Sequence, residues 1–178
     1  QTRIRDALEL RADQAPRRRT GSFSRKFLVD RAPPELPEAQ PVSGGRPSGQ
    51  HTLRLDARGC PSCQQHVKPG ERMLDLGCGS GILSIAAAKL GAVSSFGLEI
   101  DPIAATAAVR NVLDNGVQEI VTTKEATLPH PDVVVGSCDL AIANISSKVI
   151  IDLAEHIIAA VKSGGTLILS GILEEQQA

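Results

Sequence analysis

Aromatic residues are nearly missing from this 178-residue chain, which has three Phe and neither Trp nor Tyr. Any ligand pocket must therefore be lined by aliphatic, alanine and glycine surfaces, and ring stacking on an extruded nucleobase is disfavoured. No apolar run approaches the roughly 18 residues that a membrane helix needs, so no membrane partner is expected. A disulfide framework is missing too: the cysteines are Cys60, Cys63, Cys78 and Cys138, a placement that fits a reducing, cytoplasmic setting. Strong net charge is also lacking, at −1 overall, so nothing in the total calls for nucleic acid. Met73 is the only methionine, so the chain is expected to be a piece of something longer.

What is present divides at about residue 47. Residues 1–31 hold nine Lys or Arg against four acids, which leaves ten against sixteen for the rest. A short helix is conceivable at residues 2–11, too short to be stable alone. Residues 32–49 hold five prolines and three glycines and read as extended linker. Residues 1–47 are thus expected to be a basic, proline-rich, poorly ordered tail, and 48–178 a single core, which a 42% hydrophobic composition can supply.

That core is organised around Leu74-Asp75-Leu76-Gly77-Cys78-Gly79-Ser80-Gly81. An apolar run meets a glycine-rich turn, and the turn opens into the alanine-rich segment 82–90 that stops at Gly91; this is a strand, a tight loop and a helix. Such a loop brings backbone N–H groups and a helix N-terminus up to a ligand. The dinucleotide fingerprint wants its third small residue one position later, where Ile82 stands. Asp75, two residues before the first glycine, would repel a pyrophosphate and suits a cationic ligand. S-adenosylmethionine answers that demand, because it has no phosphate and carries a sulfonium and an ammonium.

Further along, strands are expected at 93–99, 119–123, 140–144 and 166–170, with helices over 103–115 and 147–161 and a turn at Gly164-Gly165. Strands alternate with helices, so the sheet should be parallel with right-handed crossovers, a doubly wound α/β fold. Ligands of such sheets sit at the carboxyl ends of the strands. Glu99 ends the second strand and suits the ribose hydroxyls. Asp101 precedes Pro102 and is first of all a helix cap, secondarily a cofactor contact. Asn144 ends the fourth strand with an amide that both donates and accepts; a turn-forming Asn is the plainer reading.

Cys60-Pro-Ser-Cys63 near His51 and His66 invites a zinc reading, yet a closed site needs four ligands and only His51 is near enough in sequence to add one. A redox pair lacks its strand and helix context. An incidental loop is expected there, and no metal.

The acid-x-Gly-x-Gly-x-Gly pattern at 75–81 resembles motif I of class I S-adenosylmethionine-dependent methyltransferases. Together with Gly97-Leu-Glu99-Ile-Asp101-Pro102, Ala143-Asn144-Ile145 and the closing Gly164-Gly-Thr-Leu-Ile-Leu-Ser-Gly-Ile-Leu173, it resembles the ribosomal protein L11 methyltransferase (PrmA-like) family over residues 67–178. The resemblance implies a Rossmann-like, mainly parallel sheet that here ends after the fifth strand, where the fold otherwise continues into an antiparallel pair. It implies methyl transfer to lysine or α-amino groups of a ribosomal protein, with no direct nucleic acid contact. It assigns S-adenosylmethionine to Asp75, Gly77, Gly79, Gly81, Glu99 and Asp101, and the acceptor amine to Asn144. Gly49-Gln-His-Thr52 resembles the family's Gly-x-His-Pro-Thr-Thr segment, short of its Pro and one Thr, and so adds Thr52 to the cofactor contacts. Two readings of other classes stand beside it: a nicotinamide-dependent oxidoreductase, which Ile82 and Asp75 oppose, and a non-catalytic remnant that only binds.

Overall fold

The structure is a computed structural model that describes residues 26–29 and 65–171. Among the described residues six strands and four helices follow one another as β1 (Lys26–Val29), β2 (Arg72–Leu76), α1 (Ile82–Lys89), β3 (Ser94–Glu99), α2 (Pro102–Asp114), β4 (Val121–Glu125), β5 (Cys138–Asn144), α3 (Ser147–Asp152), α4 (Ala154–Ala160) and β6 (Val161–Ser170). They form one sheet in the order β1-β6-β5-β2-β3-β4, every neighbouring pair parallel. The chain order reverses between β2 and β5, so the carboxyl ends of these two central strands flank the crevice where doubly wound sheets bind ligands.

Alternation along β2 decides which layer each side chain joins. Leu74 and Leu76 face α3 and α4, in a cluster with Leu98, Ile150, Ala154, Ile157, Ile158, Leu167 and Leu169. Met73 faces α1, in a cluster with Leu83, Ala86, Ala87, Leu140, Ile142 and Ile168. Helix α2 adds Val112 against Ile85 and Ala88 on that same side. The result is three layers with the sheet in the middle. Leu74, Leu98, Leu140, Leu167 and Leu169 are each under 2% exposed, and each such burial contributes about 1.5–3 kcal/mol.

Both long helices stop for the same reason. Gly91 and Gly116 take φ of 96° and 67°, and the following N–H groups bond back to helix carbonyls, Ala92 to Ala87 and Val117 to Val112, as in a Schellman motif. Helix α2 starts on an Asp101 cap that accepts from Ile103 N at 2.9 Å, with Pro102 in the first turn.

Four elements depart from the sequence expectation. Lys26–Val29 forms an edge strand beside β6, within the stretch read as tail; a four-residue run amid polar sequence is too short for a period to show. Strand β4 runs through Lys124 and Glu125, which pair with Leu98 and Glu99, because an edge strand is held by its ladder even where side chains face solvent. The helix expected over 147–161 breaks at Leu153, with φ −98° and ψ 3°. The Gly164-Gly165 turn lies inside β6, where the ladder with β5 passes from Cys138↔Val161 to Leu140↔Thr166; three extra residues are bulged out there. The expected helix at 2–11, the Cys60 and Cys63 pair, and Thr52 lie outside the described residues.

Candidate functional site

Parity places Asp75 on the α1 side of the sheet, in register with Ile142 of β5 and Gly97 of β3. It is completely buried. Its Oδ2 accepts from Ser84 Oγ at 2.8 Å and from Ser84 N at 3.2 Å, which also satisfies an orphan amide in the first turn of α1. Its Oδ1 has no hydrogen-bond partner. Burial pushes the carboxyl from 3.8 up to about 6, against the pull of the Ser84 bonds, and the Glu99 charge adds to the rise.

The loop that follows carries Gly77, Gly79 and Gly81 at φ 73°, 54° and 78°. At Gly77 the backbone needs both the left-handed conformation and the missing side chain, since a Cβ there would overlap the Cγ2 methyl of Ile145. Around Gly79 nothing lies within 4 Å of where a Cβ would stand, so this glycine faces open space. The loop is fastened from several sides. Gly77 N and Cys78 N donate to Leu98 O at 2.8 and 3.0 Å, and Gly81 N to Cys78 O at 2.8 Å. From α2, Asn111 Nδ2 donates to Ser80 O at 2.9 Å. Gly97 lets Cys78 sit against β3, since a Cβ would meet its Sγ at 3.0 Å. Burial, with Asp75 and Glu99 nearby, pushes the Cys78 thiol up to about 12, so it is no nucleophile.

Glu99 bridges the loop and the end of β3. Its Oε2 accepts from Gly79 N at 2.8 Å; its Oε1 accepts from Ile100 N at 2.8 Å and Asp101 N at 3.0 Å. Beside it Ile100 and Ile103 are 71% and 80% exposed. Asn144 ends β5 exposed to solvent, opposite Ser170. Gly171, at φ 80°, leaves it room: a Cβ there would stand 2.9 Å from Asn144 Oδ1.

The structure thus gathers Asp75, the three glycines, Glu99 and Asp101 around one loop, with Asn144 leading into Ile145, the residue that covers Gly77. Sequence reasoning missed Ser84, Asn111 and Ile145. Ser84 lies within the alanine-rich segment 82–90, and only its spacing of nine from Asp75 across the strand–loop–helix turn could have flagged it. Gly97, a glycine inside a strand, was a legible sign of close backbone approach. Among the described residues no three His, Cys, Asp or Glu side chains are placed to hold a metal ion.

A profile of the family described as ribosomal protein L11 methyltransferase (PrmA) matches residues 57–178. The chain belongs to that family. It is 49% identical over 114 residues to the ribosomal protein L11 methyltransferase of Ralstonia pickettii (strain 12J), covering 64% of this chain and 36% of that protein. It is 37% identical over 134 residues to the protein of the same name from Listeria monocytogenes serotype 1/2a (strain 10403S), covering 75% and 40%. The chain therefore spans little more than a third of the length of these relatives. Among solved structures it is similar to the ribosomal protein L11 methylase of Lactobacillus delbrueckii subsp. bulgaricus, at 33% identity and a TM-score of 0.57, covering 64% of this chain and 58% of that one. Family membership gives the sheet its class, the Rossmann-like core of class I methyltransferases.

Proposed function

We propose that the chain binds S-adenosylmethionine through the β2–α1 loop and is the cofactor-holding part of a protein methyltransferase acting on lysine or α-amino groups of ribosomal protein L11. The observation that carries this reading is the pair of carboxylates that brackets the loop, Asp75 fully buried with Oδ1 unpartnered and Glu99 held on Gly79 N. Residues 75–84 and 97–103 contain no Lys or Arg. Such an acceptor set fits a ligand that is cationic and free of phosphate.

When bound, S-adenosylmethionine supplies a methyl group on a sulfonium, a leaving group already in place. The protein's share is then positioning and exclusion of water. With three of its roughly four acceptor sites taken, Glu99 keeps one on Oε2 to accept from a ribose hydroxyl, and the exposed faces of Ile100 and Ile103 offer apolar cover in a chain short of aromatic rings. Gly77, Gly79 and Gly81 let the backbone approach. Asp75 acts from beneath the loop, as a negative charge at neutral pH. Asp101 contributes chiefly by starting α2, and Thr52 remains a proposed contact. Asn144 accepts from the incoming amine, which must arrive neutral; a lysine of ordinary pKa near 10.4 sheds its proton first, to water.

Residues 48–178 are the unit that holds the cofactor on this reading, with β1 joining its sheet from the preceding arm. The setting is the cytoplasm, with a ribosomal protein as partner and no direct nucleic acid contact: the segment from Asn144 to Ser147 carries no aromatic side chain for a flipped base. Among the described residues no helix is long and apolar enough to cross a membrane.

The test is methyl transfer from tritiated S-adenosylmethionine to ribosomal protein L11, comparing the chain with its Asn144→Ala variant. Label on the acceptor that falls at least about tenfold in the variant, with cofactor affinity unchanged, supports both roles. Cofactor binding without any transfer would leave the chain a binding module, and no binding at all would end the proposal.

A further inference from the structure

Five of the loop's backbone donors are spoken for, while Ser80 N, Ile82 N and Leu83 N have no acceptor among the described residues. Gly77 N, Cys78 N and Gly81 N serve carbonyl oxygens, Ser84 N serves Asp75, and Gly79 N serves Glu99. Loops that cradle phosphate depend on such N–H groups being free to point at the ligand. Here two of them end on carboxylates delivered by β2 and β3. Glu99 cannot swing aside cheaply, because its two oxygens together hold three backbone N–H groups at 2.8 to 3.0 Å, bonds of the stronger, charge-assisted kind. Its Oε2 occupies the donor at Gly79, the one glycine of the three with open space where a side chain would be. That open side is where a ligand's diphosphate would come closest to the backbone.

We infer that Glu99 is a specificity-determining residue that stands in for phosphate: by occupying the Gly79 N–H it closes the loop to nucleoside diphosphates and dinucleotides and keeps the site for phosphate-free nucleosides. This deepens the function proposed above and rests on it for the site's location. It differs from a role as ribose acceptor alone, because it assigns Glu99 a part in rejecting ligands that share the same ribose.

The full 178-residue chain and its Glu99→Ala and Glu99→Gln variants decide the matter, titrated with adenosine and with ADP by ligand-observed NMR. The two probes share base and ribose, so the ratio of their affinities isolates the diphosphate. The wild-type chain is expected to bind ADP at least about tenfold more weakly than adenosine. In Glu99→Ala the Gly79 N–H is released, and the ratio moves toward ADP by about tenfold or more, even as both affinities fall from the lost ribose contact. Glu99→Gln keeps the shape without the charge and shifts the ratio part of the way. An unchanged ratio in variants with wild-type circular dichroism and melting overturns the inference, as does a wild-type chain that binds ADP as well as adenosine. Should Glu99→Ala lose its fold or bind neither probe, the ratio in Glu99→Gln decides: a shift of about threefold or more toward ADP supports the inference and no shift refutes it. Wild-type binding of neither probe refutes both this inference and the site it rests on. Wild-type binding of adenosine without S-adenosylhomocysteine removes the cofactor reading alone.

Discussion

Replacing Asp75 by Asn probes the buried acid beneath the loop through the pH dependence of stability. The folded chain raises this carboxyl from 3.8 to about 6, so between those values it binds more protons than the unfolded chain does. The group's contribution is then fully present below pH 3.8 and is lost as pH rises through 6. With those two values the loss between pH 4 and pH 8 comes to about 2 kcal/mol, at 1.36 kcal/mol for each pH unit of difference. The amide of the Asp75→Asn variant does not titrate. Its fixed costs, a weaker acceptor for Ser84 and a new amide donor where Oδ1 has no partner, are the same at every pH. Urea unfolding followed by circular dichroism at both pH values should therefore find the wild-type chain losing about 2 kcal/mol relative to Asp75→Asn on going from pH 4 to pH 8. The variant's affinity for S-adenosylhomocysteine should fall, because the negative charge beneath the loop is gone and the Ser84 bonds that tie the loop's helix to β2 weaken. Stability curves that run parallel within about 0.5 kcal/mol would show that the carboxyl titrates normally and that its enclosure under α1 does not govern its charge.

Three other substitutions or treatments test neighbouring parts of the site. Gly77→Ala puts a methyl group onto Ile145 at a backbone φ of 73°; a loss of about 2 kcal/mol or more in urea unfolding is expected, with cofactor binding abolished in what remains folded. Asp101→Ala removes the cap of α2 and should cost about 1 kcal/mol while leaving S-adenosylhomocysteine affinity within about threefold; a tenfold loss in a chain of otherwise equal stability would make Asp101 a ligand contact. Cys78, with its thiol pushed to about 12, should resist iodoacetamide at pH 8 in the folded chain and react only on unfolding, as read by mass spectrometry of the Cys78 peptide.

Much of this was legible in the sequence because the decisive signals are local. Strand β2 announces itself as an apolar run that meets a glycine loop, β3 and β5 as runs ending in Glu99 and Asn144, and α1 and α2 as segments bracketed by a glycine loop or an Asp-Pro start and by glycine stops. The spacing of Asp75, the three glycines and Glu99 survives intact in the geometry. What stayed hidden depends on contacts between distant parts of the chain. An acid two residues before a glycine loop reads as facing a ligand; only the parity of β2 against β5, which aligns Asp75 with Ile142, shows that it points at α1 and is enclosed by it. Ser84 gains its meaning from that packing alone. Glu99 was read by its place at a strand end, yet its bond to Gly79 N spans 20 residues and leaves no trace in composition. Strand β1 escaped because four residues carry too little pattern, and the break at Leu153 because one apolar period runs straight through it.

Two carboxylates, on this reading, have made a glycine-rich loop into a site for a phosphate-free, positively charged nucleoside. Calorimetric titration of the wild-type chain at pH 7.5 with S-adenosylhomocysteine, S-adenosylmethionine and NAD is the decisive measurement. Saturable one-to-one binding of the first two and none of the third is expected; a folded chain that binds NAD and ignores the other two would contradict it.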